Sequence, residues 1–165
     1  MSSIITDYYQ VTRDELLMLI EGLSTEEFNA TPSEDKWSIA QVCHHLVLVE
    51  LSTIKAVKYG LREDKGTKSD PKDITLVLNR SRKVRAPKVV EPGGGPFEIN
   101  EIVEMLNNSR NKLLELIDSI GDTTVLEEKA VVHPVFGLLS LKQWIDFVPL
   151  HEKRHMEQIT EIKGD

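Results

Sequence analysis

The sequence predicts an all-α fold: a four-helix bundle, up-down-down-up, with a long crossover between helices two and three. Three observations carry this expectation. Four segments of about 20 residues place apolar side chains at steps of three and four, the period of one helix face. Each segment opens or closes on a residue suited to a helix end. The connections are unequal, and only the middle one is long enough to run back the full length of a helix.

Helix one is expected over residues 4–22, with Ile5, Tyr8, Tyr9, Leu16, Leu19, Ile20 and Leu23 on its apolar face and Gly22 at its end. Ser24 and Glu27 then form a capping box for a short turn, which Phe28 anchors to the core. Helix two opens at Trp37-Ser38-Ile39, with Ser38 as N-cap, and runs to Tyr59 before Gly60. It is apolar on nearly every side, through Ile39, Val42, Cys43, Leu46 to Val49, Leu51 and Ile54. Such a helix is either deeply buried or shared with a second subunit, so a homodimer is expected.

Residues 61–97 hold four prolines, the run Gly93-Gly94-Gly95 and many charges, with room for a short helix at Ile74 to Leu78. A crossover of this length in a compact domain is usually functional or mobile. The glycine run is a flexible hinge and no phosphate loop, because it lacks the Gly-Lys-Ser/Thr ending. Helix three spans 98–120, with a stripe through Ile102, Met105, Leu106, Leu113, Leu116, Ile117 and Ile120, and Gly121 beyond it. Residues 122–139 form a second connection, and Ser140 caps helix four, which reaches Ile162. Helices of this length are about 30 Å long. The long crossover therefore makes helices two and three parallel, and helices two and four antiparallel.

The 165 residues read as one domain, 1–165, with 40% apolar and 28% charged residues, ordinary for a soluble protein. A net charge of -7 repels nucleic acid and anionic membranes, so neither is expected as a partner. The basic run at Arg80, Arg82, Lys83 and Arg85 reads as a solvated loop. A single cysteine, Cys43, forbids an internal disulfide and fits a reducing cytoplasm. The N-terminus has no signal-peptide pattern, and no apolar run approaches the ~18 residues of a membrane helix.

The chemistry concentrates in His151-Glu152-Lys153-Arg154-His155. Histidines four apart on a helix point the same way and can share one metal ion. Leu141, Trp144, Val148, His151, His155 and Ile162 fall at helical steps, so both imidazoles lie on the buried stripe. A metal centre needs a third ligand. His44, His45 and His133 are the candidates. His45 lies on an apolar face of helix two, and the antiparallel pairing brings it level with His151 and His155.

The segment Trp37-Ser38-Ile39-Ala40-Gln41-Val42-Cys43-His44-His45-Leu46 resembles the start of helix two in the DinB/YfiT-like superfamily. His133 to Ser140, followed by Trp144, His151, His155 and Gln158, resembles that superfamily's last segment. The resemblance implies a divalent metal, often nickel or zinc, held by three histidines that fall here on His45, His151 and His155. It also implies an enzyme acting on a small molecule, by metal-dependent hydrolysis or by transfer of a low-molecular-weight thiol cosubstrate. A non-catalytic metal-binding or stress-response module is the alternative. His44 reads as a core or interface histidine, and His133 as capping a turn or packing beside Pro134.

The same five residues match the H-E-x-x-H pattern of zinc proteases, in which the glutamate is the general base. The surroundings do not fit a protease: too few residues follow His155 for a distant ligand, and Gln158 and Glu161 replace the glycine and histidine of the extended motif. Glu152 is the one catalytic candidate, orienting water or ligand, with a solvated helix glutamate as the plainer reading. Pro149 removes a hydrogen bond to the Ile145 carbonyl, so helix four either kinks or stops near Val148 and restarts.

Overall fold

A computed structural model describes residues 3–63 and 66–164, with side chains from Asp7 onward. Ile5, expected on the apolar face of helix one, lies outside the described side chains. Four long helices are present: α1 (Ser3–Ile20), α3 (Ile39–Arg62), α4 (Ile99–Asp118) and α6 (Leu141–Lys163). Two short ones, α2 (Thr25–Asn29) and α5 (Val125–Glu128), sit in the connections.

The caps follow the sequence. Ser24 with Glu27, and Ser38 with Gln41, form complete capping boxes on α2 and α3, and the Ser140 hydroxyl accepts from the Gln143 amide at the start of α6. Gly22 follows α1 in the left-handed region, where a Cβ would be strained. Gly60 does not end its helix. It is buried inside α3, where an added Cβ would fall 2.6 Å from the Leu141 side chain, so the missing side chain lets α6 approach α3.

Side-chain pairs fix the helix directions. Tyr9 meets Ile145, Arg13 meets Glu152, and Lys163 meets Leu19, so α1 and α6 run parallel. Arg13 reaches the Leu106 carbonyl and Arg110 the Tyr9 carbonyl, so α4 runs against α1. Gly60 of α3 lies against Leu141 at the start of α6, while His45 near the start of α3 meets His151 and the ring of His155, so these helices are antiparallel. The order is up-down-down-up.

Residues 122–139 hold an element that the sequence reading leaves as a plain connection. Strands β1 (Ala130–His133) and β2 (Gly137–Ser140) pair antiparallel, with Val131 opposite Leu139. Gly137 takes a positive φ at the turn. The Trp144 indole donates to the Val131 carbonyl at 3.0 Å, which ties the hairpin to the first turn of α6.

The crossover runs along α6 and returns to the start of α3. Gln143 exchanges two hydrogen bonds with the Lys72 backbone, and the Arg154 guanidinium donates to the carbonyls of Val77, Asn79 and Arg82. Ile74–Leu78 and Lys88–Val90 are 3₁₀ turns, and Ile74 and Val90 are buried. In the basic run, Arg80 forms a two-armed ion pair with Glu161. The Gly93 amide donates to His44 and its carbonyl accepts from Gln41, while Gly95 takes a positive φ. With α4, α6, α2 and the crossover around it, α3 buries Val42, Cys43, Leu46, Val47 and Ile54 within the one chain. Its apolar character therefore has an intramolecular explanation.

Four charges occupy the bundle centre, one from each long helix: Arg13, Glu50, Arg110 and Glu152, none more than 4% exposed. Arg13 pairs with Glu50 at 2.6 Å and Glu152 at 2.8 Å, and Arg110 pairs with the same two carboxylates. Ser109 and Thr12 add hydroxyl donors. Burial alone would lower the Arg110 pKa, but Glu50 and Glu152 more than offset it and hold it raised. A buried ion removed from such a ring strands its partners. Arg110→Ala is expected to cost about 3–5 kcal/mol in urea unfolding. Glu161→Ala, which removes the exposed partner of Arg80, is expected to cost less than about 1 kcal/mol.

Candidate metal centre

His45 projects from the second turn of α3, and His151 and His155 project one turn apart from α6. The structure brings these three together and leaves the other two histidines outside. His151 Nε2 lies 3.2 Å from His45 Nε2 and 3.1 Å from His155 Nε2. One ligand atom from each of the three lies within 4.8 Å of the others.

The outer ring nitrogens fix the tautomers. His45 Nδ1 is 2.7 Å from the Val90 carbonyl, and His155 Nδ1 is 2.8 Å from Gln158 Oε1. An oxygen acceptor at Nδ1 keeps the proton there and leaves Nε2 as a bare lone pair. His151 Nε2 therefore faces two lone pairs. A proton on His151 Nε2 can bridge only one of those gaps, whereas a cation between the three satisfies all of them. Imidazole ligands at 2.0–2.1 Å in a tetrahedral set stand about 3.3 Å apart. The two spacings from His151 match, so the residues present fit a divalent metal.

Burial lowers the pKa of all three histidines: His45 moderately, His155 to about 3 and His151 well below its ordinary value, with the neighbouring imidazoles adding to the effect. They are neutral at pH 7, as metal ligands must be. Phe147 stacks on His151 with centroids 5.2 Å apart, and Trp37 lies 5.0 Å from His45. These rings limit the rotation of the imidazoles and keep water from their flanks.

His44 points away from the centre. Its Nδ1 accepts from the Gly93 amide at 3.0 Å and its ring rests on Phe97. It fastens the crossover to α3. His133 caps the hairpin turn: its Nδ1 accepts from the amides of Val135 and Phe136, and its ring packs edge-on against Trp144 and Phe147.

Glu152 is not brought to the histidines. It is 2% exposed, and both carboxylate oxygens are held by Arg13 and Arg110, so it is no solvated helix glutamate. One residue step turns a helix by about 100°, which sends His151 to the metal face and Glu152 to the charged centre. α6 is helical straight through Pro149, which excludes a stop and restart there. The Ile145 carbonyl, which Pro149 leaves without its donor, accepts the Tyr9 hydroxyl instead. Burial pushes the Cys43 thiol up to about 12, so it is a core residue and no nucleophile.

The sequence reading missed several contributors. Gln158 enters the sequence reading only as a match to the superfamily's last segment; its hold on His155 Nδ1, from three residues further along the helix, is what the structure adds. The four core charges also carry a signal: Arg13 lies between Tyr9 and Leu16, and Arg110 between Leu106 and Leu113, at stripe positions. The Val90 carbonyl carries none, since every residue has one.

A model of the DinB superfamily matches residues 8–159. The chain belongs to the DinB superfamily. Relatives of the chain include the Bacillus subtilis protein YuaE, described as uncharacterized, 33% identical over 144 residues that cover 87% of this chain and 88% of YuaE. A putative metal-dependent hydrolase of Geobacillus thermodenitrificans is 36% identical over 52 residues, 32% of this chain and 29% of that protein. Among solved structures, the four-helix bundle protein TT2238 superposes with a TM-score of 0.65 at 19% identity, covering 95% of this chain and 96% of its own. YfiT of Bacillus subtilis, described as a probable metal-dependent hydrolase with an unusual four-helix bundle topology, gives 0.64 at 18% identity, covering 99% and 89%. These two likenesses show the four-helix-bundle fold. No helix among the described residues is long and apolar enough to cross a membrane.

His133 gives the centre's surroundings a pH dependence. Its pKa falls from 6.5 to about 4 on folding, because burial disfavours the charged ring. The two amides that donate to its Nδ1 oppose a proton there as well. The unfolded chain then binds the extra proton first, so stability is complete above pH 6.5 and drains away as pH falls toward 4. Urea midpoints of chelator-treated protein are expected to fall across that window. His133→Gln is expected to flatten the slope by roughly 3 kcal/mol over the window.

Proposed function

We propose that this protein is a divalent-metal-dependent hydrolase acting on a small molecule, with His45, His151 and His155 as the metal ligands. The observation that carries the reading is the meeting of three Nε2 atoms, two of them stripped of their protons by acceptors on the far side of the ring. Imidazole ligands suit zinc and nickel alike. A divalent cation there supplies Lewis acidity, polarising an oxygen or sulfur atom of the substrate or cosubstrate and lowering its pKa. Three neutral protein ligands leave room for such an atom.

The chain's own part is to hold and to shield. Val90 and Gln158 orient two imidazoles, Phe147 and Trp37 wall the site, and Glu152 serves the bundle's charge centre. The name of the Geobacillus relative and the description of YfiT support hydrolysis. Transfer of a low-molecular-weight thiol uses the same polarisation with a sulfur nucleophile, and added thiol separates the two.

Elemental analysis of untagged protein is expected to find about one zinc or nickel per chain. His45→Ala and His155→Ala are expected to lose it together with at least 100-fold of any hydrolytic activity, while His44→Ala keeps both. Turnover that requires added thiol moves the reading to S-transfer, and metal without turnover against either panel moves it to a binding module. The expected homodimer is checked by light scattering, where a mass near 19 kDa would refute it and a doubled mass would support it; the chain mass is 18.7 kDa.

A further inference from the structure

His45 and His155 each give their Nδ1 proton to an oxygen of the protein, whereas His151 gives its own to none among the described residues. A metal-binding imidazole ordinarily passes its outer N–H to a carboxylate, a carbonyl or a water, and that partner tunes the ligand. His151 lines a small cavity together with Arg13, Glu50, Glu152, Leu46, Val49 and Val148. The cavity has room for about one water molecule, and its walls carry the two to four polar groups that a buried water requires. Its charged lining is three of the four ions at the bundle centre, in which each carboxylate keeps acceptor capacity beyond what the arginines and the Ser109 and Thr12 hydroxyls occupy.

We propose that this cavity is a buried-water site that connects His151 to the ion ring. The water accepts the His151 Nδ1 proton and donates to a carboxylate oxygen of Glu50 or Glu152. The ring then acts on the candidate metal centre from behind. It keeps His151 in the tautomer whose Nε2 lone pair faces His45 and His155, and the negative carboxylate beyond the water makes that imidazole a stronger donor. Glu50 and Glu152 are thereby positioning residues, acting through the water and the histidine. All three imidazoles would be oriented from their outer nitrogens, each by a different part of the chain: the crossover, the helix α6 itself and the bundle centre. The inference rests on the metal reading for its consequence, but the water stands or falls by itself.

The test combines a high-resolution crystal structure of the zinc-loaded protein with zinc affinity measured by competition against a chelator. The structure is expected to show one ordered water within hydrogen-bond distance of His151 Nδ1 and of a carboxylate oxygen of Glu50 or Glu152. Val49→Ile fills the cavity with one methyl group and leaves every charge in place. It is expected to expel the water and to weaken zinc binding 10- to 100-fold, while the thermal midpoint of the metal-free protein stays within a few degrees. A purely structural role for the ring would leave affinity unmoved. Val148→Ile, which fills the same cavity from α6 and leaves every charge in place, is the second variant should Val49→Ile fold poorly, and the same loss of affinity is expected. A dry cavity, or affinities within twofold of the parent, would overturn the proposal. A His155→Ala protein that retains its zinc would instead refute the metal reading, and the two failures are distinguishable because the water is read from density alone.

Discussion

The bundle depends on the ring of Arg13, Glu50, Arg110 and Glu152. An isolated ion in an apolar core is prohibitive, so each member is tolerable only when the other three helices deliver theirs. The ring is thus a registration device. A slide of any helix by one turn, about 5.4 Å, would strand that helix's own ion and take one partner from each of the two ions it faces. The apolar stripes could accept such a slide at modest loss, because Leu, Ile and Val pack in many arrangements. The ions cannot. The register that the ring enforces is also the one that sets His45 of α3 level with the pair on α6.

The crossover does comparable work at the other end of the site. Its anchors lie in order along α6, from Gln143 through Arg154 to Glu161, before it turns back to His44 and His45. The Val90 carbonyl that orients His45 is therefore placed by contacts spread over the length of a helix. A segment rich in proline and glycine would otherwise have no fixed path. The arginine and the amide that fasten it belong to the same helix that bears two of the three metal-facing histidines.

Much of this was legible in the sequence, because the signals are local. Ser24, Ser38 and Ser140 cap as expected, and the stripes of α4 and α6 lie on the core side, except that Met105 of α4 is exposed at the stripe's edge. His45 rather than His44 follows from the resemblance, through its spacing from Trp37 and the Leu46 after it; the apolar residues around nearly the whole of α3 do not separate the two. The misses have physical causes. Gly60 reads as a helix end, yet a glycine also suits a helix pressed against Leu141, and only the packing decides between the two. The hairpin is too short to register as alternation and is held by Trp144 from outside its own span. Glu152 carries a motif that suggests catalysis, and its immersion depends on arginines from two distant helices. A histidine that binds a backbone carbonyl leaves no trace of that carbonyl in the sequence.

Tyr9 and Pro149 join the two ends of the chain in a way that bears on biosynthesis. The proline denies α6 the means to complete its own ladder, and the missing donor is a hydroxyl contributed by α1. The first helix leaves the ribosome well over a hundred residues before the acceptor exists. Until then its tyrosine has no native partner, and Arg13 lacks both Glu50 and Glu152 at the outset. A fragment carrying α6 alone would present both of its histidines on a helix with an open carbonyl at Ile145, about two turns upstream of His151. The cluster of three histidines is therefore a late product of synthesis, available only once α6 has emerged and closed against α1.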